Sequence, residues 1–167
     1  GGYTGTITNA FGVRNDNFDA ATDDPRGIEG DSNSSDATAA PISTPTLKNV
    51  TILNLNPDVA LKAGAEIRRG TQAVITNIFF AAYGDASFGN RIDTKDDKGN
   101  GTLTISNAAS QGQVGDDKEG GLITGIVTTI TDGFTVTSDN AVTFKSGVGA
   151  DFSAFAWANQ SFKVTKK

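Results

Sequence analysis

Leu47-Lys48-Asn49-Val50, Ile75-Thr76-Asn77-Ile78 and Ile105-Ser106-Asn107-Ala108 decide how this chain folds. Each runs apolar, polar, asparagine, apolar, and Ile7-Thr8-Asn9-Ala10 repeats the pattern near the N-terminus. The last three asparagines lie 28 and 30 residues apart. Recurrence at a period of roughly 20–50 residues marks a repeat architecture. The flanking residues are strand-like, so each period reads as one turn of a solenoid. The predicted fold is all-β: a right-handed parallel β-helix of about four to five coils with a C-terminal aromatic cap. It is read as a single β-solenoid domain over residues 1–167.

The asparagines have a physical reason to recur. Asparagine tolerates the left-handed backbone that a sharp bend demands. Its side-chain amide both donates and accepts. Identical amides on successive coils can therefore bond along a column. Asn9, Asn49, Asn77 and Asn107 are expected to form that structural ladder.

A second set of segments falls between the asparagine motifs: Gly27-Ile28-Glu29, Glu66-Ile67-Arg68, Arg91-Ile92-Asp93 and Gly121-Leu122-Ile123. Stacked strands lie about 4.8 Å apart, so equivalent residues sit above one another. With Ile28, Ile67 and Ile92 aligned inward, Glu29, Arg68 and Asp93 become one outward column, and Glu66 stands beside Arg91 in the other. Both columns then alternate in sign, as close stacking requires.

The 167 residues carry 14 Lys and Arg against 19 Asp and Glu, a net charge of −5, with 20 glycines. An acidic chain without a basic tract repels phosphate backbones, so no nucleic-acid partner is expected. There is no cysteine and no histidine. Disulfides, thiol chemistry, Ser-His-Asp triads and imidazole metal sites are excluded. No long apolar run is present, so no membrane span is expected. Methionine is absent too, and the chain reads as the mature or C-terminal piece of a longer, exported precursor.

The stretch from Phe18 to Asp93 resembles a group of secreted bacterial right-handed parallel β-helix proteins of unassigned function. The resemblance rests on Asp24-Pro25-Arg26-Gly27-Ile28-Glu29-Gly30-Asp31, Asp36-Ala37-Thr38 and Pro45-Thr46-Leu47-Lys48-Asn49-Val50-Thr51-Ile52. Ile67-Arg68-Arg69-Gly70-Thr71 and Asn77-Ile78-Phe79-Phe80 follow in the same order. It implies an extracellular or cell-surface location and brings no catalytic residues.

Four clusters are candidate sites. Asp93, Asp96, Asp97 and Asn100 offer closely spaced oxygens that suit calcium, the one possible cofactor. Lys95 and Lys98 interrupt the ligand pattern, and a solvated turn is the plainer reading. Asp16, Asp19, Asp23 and Asp24 form a similar acidic stretch. Arg68 and Arg69 near Asp93 could meet an acidic sugar, but an ion-pair ladder is the favoured reading. In the tail that carries Phe152, Phe155, Trp157 and Phe162, Trp157 with Phe152 and Phe155 could stack on a sugar, but a plug over the end of the core is favoured. The expected function is a non-enzymatic extracellular structural protein, a subunit that self-assembles into a filament or homo-oligomer through its open ends. The alternative is a cell-surface module that binds a glycan or cleaves a polysaccharide.

Overall fold

The asparagine motifs turn the chain at equivalent corners. In the computed structural model, which describes residues 2–15, 24–137 and 141–155, Asn9, Asn49, Asn77 and Asn107 all have positive φ, between 50° and 62°. Each bends a nearly continuous run of strand without stopping it. The first coil holds β1 (Thr6–Arg14) and β2 (Arg26–Asp31); the second, β3 (Thr46–Asn54) and β4 (Leu61–Arg68); the third, β5 (Gln72–Ala82) and β6 (Ser87–Asp93). The fourth holds β7 (Thr102–Ser106), β8 (Ala108–Gln111) and β9 (Gln113–Val114), and the fifth β10 (Ile123–Thr124) and β11 (Val127–Thr129). This is a parallel β-helix.

One sheet runs β1-β3-β5 and then continues as β7-β10 before the asparagine corner and β8-β11 after it. The opposite sheet runs β2-β4-β6-β9. All of these pairings are parallel. The register skips the asparagines: Thr8 faces Lys48 and Ala10 faces Val50, then Lys48 faces Thr76 and Val50 faces Ile78. The bend thus falls at one height in every coil.

Alternation along the strands after that corner builds two cores rather than one. Val50, Ile52, Ile78 and Phe80 point inward and meet Ile67, Ile92, Ile75 and Ile105 between the sheets. Leu53, Phe79 and Ala81 point outward, yet each is 0 % exposed. They are covered by an antiparallel hairpin of β12 (Phe134–Val136) and β13 (Val142–Phe144). Gly64 lets the opposite sheet close over the inner core, because a Cβ there would stand 2.5 Å from the Phe80 ring and 2.7 Å from the Arg91 carbonyl oxygen.

Two expectations change. The described C-terminal aromatics, Phe152 and Phe155, do cap apolar surface, but on the flank of the helix and not over its end. Phe152 stacks on Phe144 with ring centroids 4.1 Å apart and meets Phe11 edge-on at 5.0 Å. Phe155 lies beside Phe152, while Trp157 and Phe162 fall outside the described residues. The flank needs this cover because Phe11, Leu53 and Phe79 would otherwise leave a large apolar patch in water.

The second change concerns the charge columns. Ile28 pairs with Ala65, not Ile67, and Ala65 pairs with Ile92. The column is therefore Glu29, Glu66, Asp93 and finally Lys118, with Arg68 beside Asp31 instead. Arg91 falls next to Gly64 and not next to Glu66. The interior column alternates in size, Ile-Ala-Ile, because Phe80 and Phe88 pack into the same core. Three acidic residues consequently stack in succession, and the predicted alternation of sign is absent.

Candidate functional site

Stacked carboxylates repel unless cations stand between them. Here arginines from neighbouring rows supply the cations. The Arg26 side chain contacts Glu66 through Nε and reaches Asp24 Oδ2 through Nη2 at 2.6 Å. Arg68 forms an ion pair with Glu66 at 2.9 Å and hydrogen-bonds Glu29 at 2.6 Å and Asp31 at 2.8 Å. Arg69 extends the network to Asp31 at 2.7 Å and to Asp96 at 3.3 Å. Lower on the same face, Lys118 holds Asp93 at 2.8 Å, and Arg91 grips both oxygens of Asp117 at 2.9 and 3.1 Å.

The electrostatics follow from this packing. Burial pushes the Glu66 carboxyl above its usual range, against the pull of Arg26 and Arg68. Burial opposes the Arg68 charge, but Asp31, Glu66 and Glu29 outweigh it and hold the guanidinium pKa high. Asp96 is also opposed by burial, and the Lys98 N–H and Arg69 carry it below the usual carboxylate range. Glu66 is 2 % exposed and Asp93 1 %. Neither carboxylate is accessible to a large substrate. The network is an ion-paired joint between coils.

Most of the proposed calcium ligands are engaged by protein donors. Asp93 accepts from Lys118 and from the Lys95 N–H, and Asp96 accepts from Arg69 and the Lys98 N–H. Asn100 donates to the Gly120 carbonyl and accepts the Asp96 N–H, while Asp97 is exposed. Among the described residues no three carboxylates gather as a metal cluster. Asp24 is committed to Arg26 and Lys62, and Asp16, Asp19 and Asp23 fall outside the described residues.

The asparagine corner is a second constellation. Asn77 Nδ2 donates to Asn49 Oδ1 at 2.9 Å, one rung of amide-to-amide bonding. The other bonds go to a strap formed by Gly149, Ala150 and Asp151. Asn77 donates to the Gly149 carbonyl at 3.0 Å and accepts the Gly149 N–H at 2.9 Å. Asn9 treats Asp151 the same way, at 2.9 and 2.6 Å. Each side-chain amide thus imitates a neighbouring strand. Between them the Ala150 N–H donates to the Thr51 hydroxyl at 3.0 Å. Asn107 is exposed and its amide has no partner among the described residues.

Gly149 is required where it sits. Its φ is +70°, and a Cβ would fall 2.2 Å from Thr51 Oγ1 and 2.8 Å from Phe79 Cβ. A groove of about 540 Å³ runs beside the strap, lined by Asn49, Asn77, Phe144, Lys145 and Ser153.

Sequence reasoning missed Arg26, Asp31, Asp117 and Lys118 in the charge network, and Thr51 and residues 149–151 at the corner. Arg26 and Asp31 lie inside a motif that carries the family resemblance. The strap had no local signal, since its partners lie 72 to 142 residues away.

Comparison with known proteins agrees with this geometry. The model of a family described as a pectate-lyase-like β-helix domain matches residues 1–161. Comparisons with curated proteins and with solved structures gave no match. No helix among the described residues is long and apolar enough to cross a membrane. With parallel coils, an asparagine corner at one height and a match across nearly the whole length, the chain belongs to the pectate-lyase-like β-helix family.

Proposed function

We propose that this chain works as an extracellular or cell-surface structural module, without an enzymatic role, that assembles head to tail through the ends of its β-helix. One observation carries the reading. Of the six large apolar side chains that are exposed among the described residues, Tyr3, Ile7 and Val13 belong to the first coil, and Leu122 and Ile126 to the last. Leu122 is 68 % exposed and Ile126 81 %. The outer edges of β1 and β2 at one end, and of β10 and β11 at the other, have no strand partner among the described residues. Such edges recruit further strands. Charge supports the same polarity, because the stacked column starts at Glu29 and ends at Lys118. Head-to-tail contact would set Lys118 of one copy against Glu29 of the next.

Sedimentation and negative-stain imaging test this directly. Concentration-dependent oligomers or fibres are expected, weakened by Lys118→Glu and recovered by pairing it with Glu29→Lys. A monomer at every accessible concentration would overturn the reading.

The second reading is a module that binds or cleaves polysaccharide, and family membership favours it. The inaccessibility of Glu66 and Asp93 argues for binding over cleavage at the charge network. A glycan array together with a reducing-sugar assay on acidic polysaccharides separates the two. Turnover in the assay would replace the structural reading with an enzymatic one.

A further inference from the structure

The outward side of the sheet before the asparagine corner repeats one side chain. The sequence spells the same alternation three times, as Thr4-Gly5-Thr6-Ile7-Thr8, Thr44-Pro45-Thr46 and Thr102-Leu103-Thr104. Parallel pairing stacks these residues into columns. One column runs Thr6, Thr46, Val74, Thr104 and Thr124. The next runs Thr8, Lys48, Thr76 and Ser106. Leu47, Ile75, Leu103 and Ile105 alternate with them and are buried in the core. Thr46 and Thr76 are half-buried, and the other members of both columns are exposed. Val74, the sixth exposed apolar side chain, stands at the centre of this face, 42 % exposed and away from both ends of the helix.

Strand preference alone does not choose threonine here. The opposite sheet of the same coils turns Glu29, Lys62, Arg68 and Asp93 outward. In the two columns Lys48 is the one charge, although 20 % of the chain is charged. Threonine offers a hydroxyl that donates and accepts, beside a methyl group. Its χ1 is stiff, so little freedom is lost when the face meets a partner. Ser106 Oγ lies 3.4 Å from Thr76 Oγ1, so hydroxyls of successive coils approach each other along the column.

The face is therefore a lattice, with a repeat of about 4.8 Å between coils and of about 6.6 Å over two residues of a strand. These repeats lie close to the two oxygen repeats on the prism face of hexagonal ice. A sugar chain would call for aromatic faces, and an anionic one for several cations; the columns hold no aromatic residue and one cation. We infer that this threonine face binds ice, holding water in register with the growing crystal. Uncharged side chains suit that partner, because an ammonium keeps its own hydration shell. The inference goes beyond head-to-tail assembly, since the face runs along the side of the helix and leaves both ends free.

Thermal hysteresis and ice recrystallisation, measured on the full chain, test it. The unaltered protein should shape ice crystals and slow their recrystallisation where an acidic control protein, serum albumin, does not. Thr104→Tyr sets a protruding ring in the middle of the face and should abolish both effects while the chain stays folded. Lys62→Tyr, the same insertion on the opposite sheet, should leave both intact. Lys48→Thr completes the second column and should strengthen both, which is a readout that does not depend on Thr104→Tyr folding. An unaltered chain without effect on ice, a folded Thr104→Tyr with full activity, or a weaker Lys48→Thr would each overturn the inference. Retention on insoluble cellulose or chitin that Thr104→Tyr abolishes, with ice growth unaffected, would overturn it in favour of a polysaccharide partner.

Discussion

The asparagine corner and the charged face opposite it meet one problem with different chemistry. Both must stack equivalent residues from successive coils. At the corner the stacked groups are neutral amides, which satisfy each other or a passing backbone, as Asn77 does with Asn49 and Gly149. On the opposite sheet the stacked groups are Glu29, Glu66 and Asp93, which cannot satisfy each other. That face depends on Arg26 and Arg68 arriving from other rows, and on Lys118 closing the column against Asp93. A column of amides can repeat a single residue type, whereas a column of charges must recruit partners out of register.

The sharpest way to break the comparison is at its charged side. Arg68→Met removes the cation shared by Glu29, Asp31 and Glu66 and should cost about 3 kcal/mol, the low end of the penalty for breaking a buried pair, because Arg26 still holds Glu66 and Arg69 still holds Asp31. Urea unfolding measures it. A loss near zero would mean that the face is as self-sufficient as the corner.

On the neutral side, Gly149→Val should cost about 3 kcal/mol, combining a left-handed φ with overpacking against Thr51 and Phe79. A dye that reports exposed apolar surface should bind the variant, because the hairpin core loses its anchor. If stability is unchanged, the strap does not hold the flank.

Asn77→Ala and Asn107→Ala form a matched pair. Both lose the amide at a left-handed corner, but only Asn77 has side-chain hydrogen bonds among the described residues. The first should cost about 2–3 kcal/mol and the second about 1 kcal/mol, from backbone strain alone. Equal losses would show that backbone conformation, and not the strap, explains the repeat.

The smallest effect concerns acid. Asp96 has a carboxyl held below its ordinary 3.8, so its contribution is present above that value and is lost as pH falls through the lowered one. Asp96→Asn should flatten this acid limb by less than about 1 kcal/mol, since the pair is only partly shielded from water. Melting curves between about pH 2 and 5 check it.

What the sequence made legible follows the same division. Identical asparagines at a near-constant period announce the coils, because one residue type both bends and bonds. The fifth coil is harder to see: Thr104 pairs with Thr124 and Ala108 with Val127, so the spacing shrinks and Gly125-Ile126 replaces the asparagine corner. The charge register was misread by two residues because Ala65, not Ile67, shares the column with Ile28 and Ile92. A small residue in a crowded core leaves no mark in the apolar pattern. The strap was illegible, since Gly149-Ala150-Asp151 reads as an ordinary turn and gains its meaning from Asn9, Thr51 and Asn77 far upstream.

Amide hydrogen exchange at Gly149 tests the clamp between the asparagine corner and the strap most directly. Its N–H should be protected in the unaltered chain and should exchange about 100-fold faster in Asn77→Ala, while the Lys62 amide in the opposite sheet stays unchanged. Exchange of Gly149 at the rate of a free peptide in the unaltered chain would contradict the clamp, and with it the stacking of the corner beneath it.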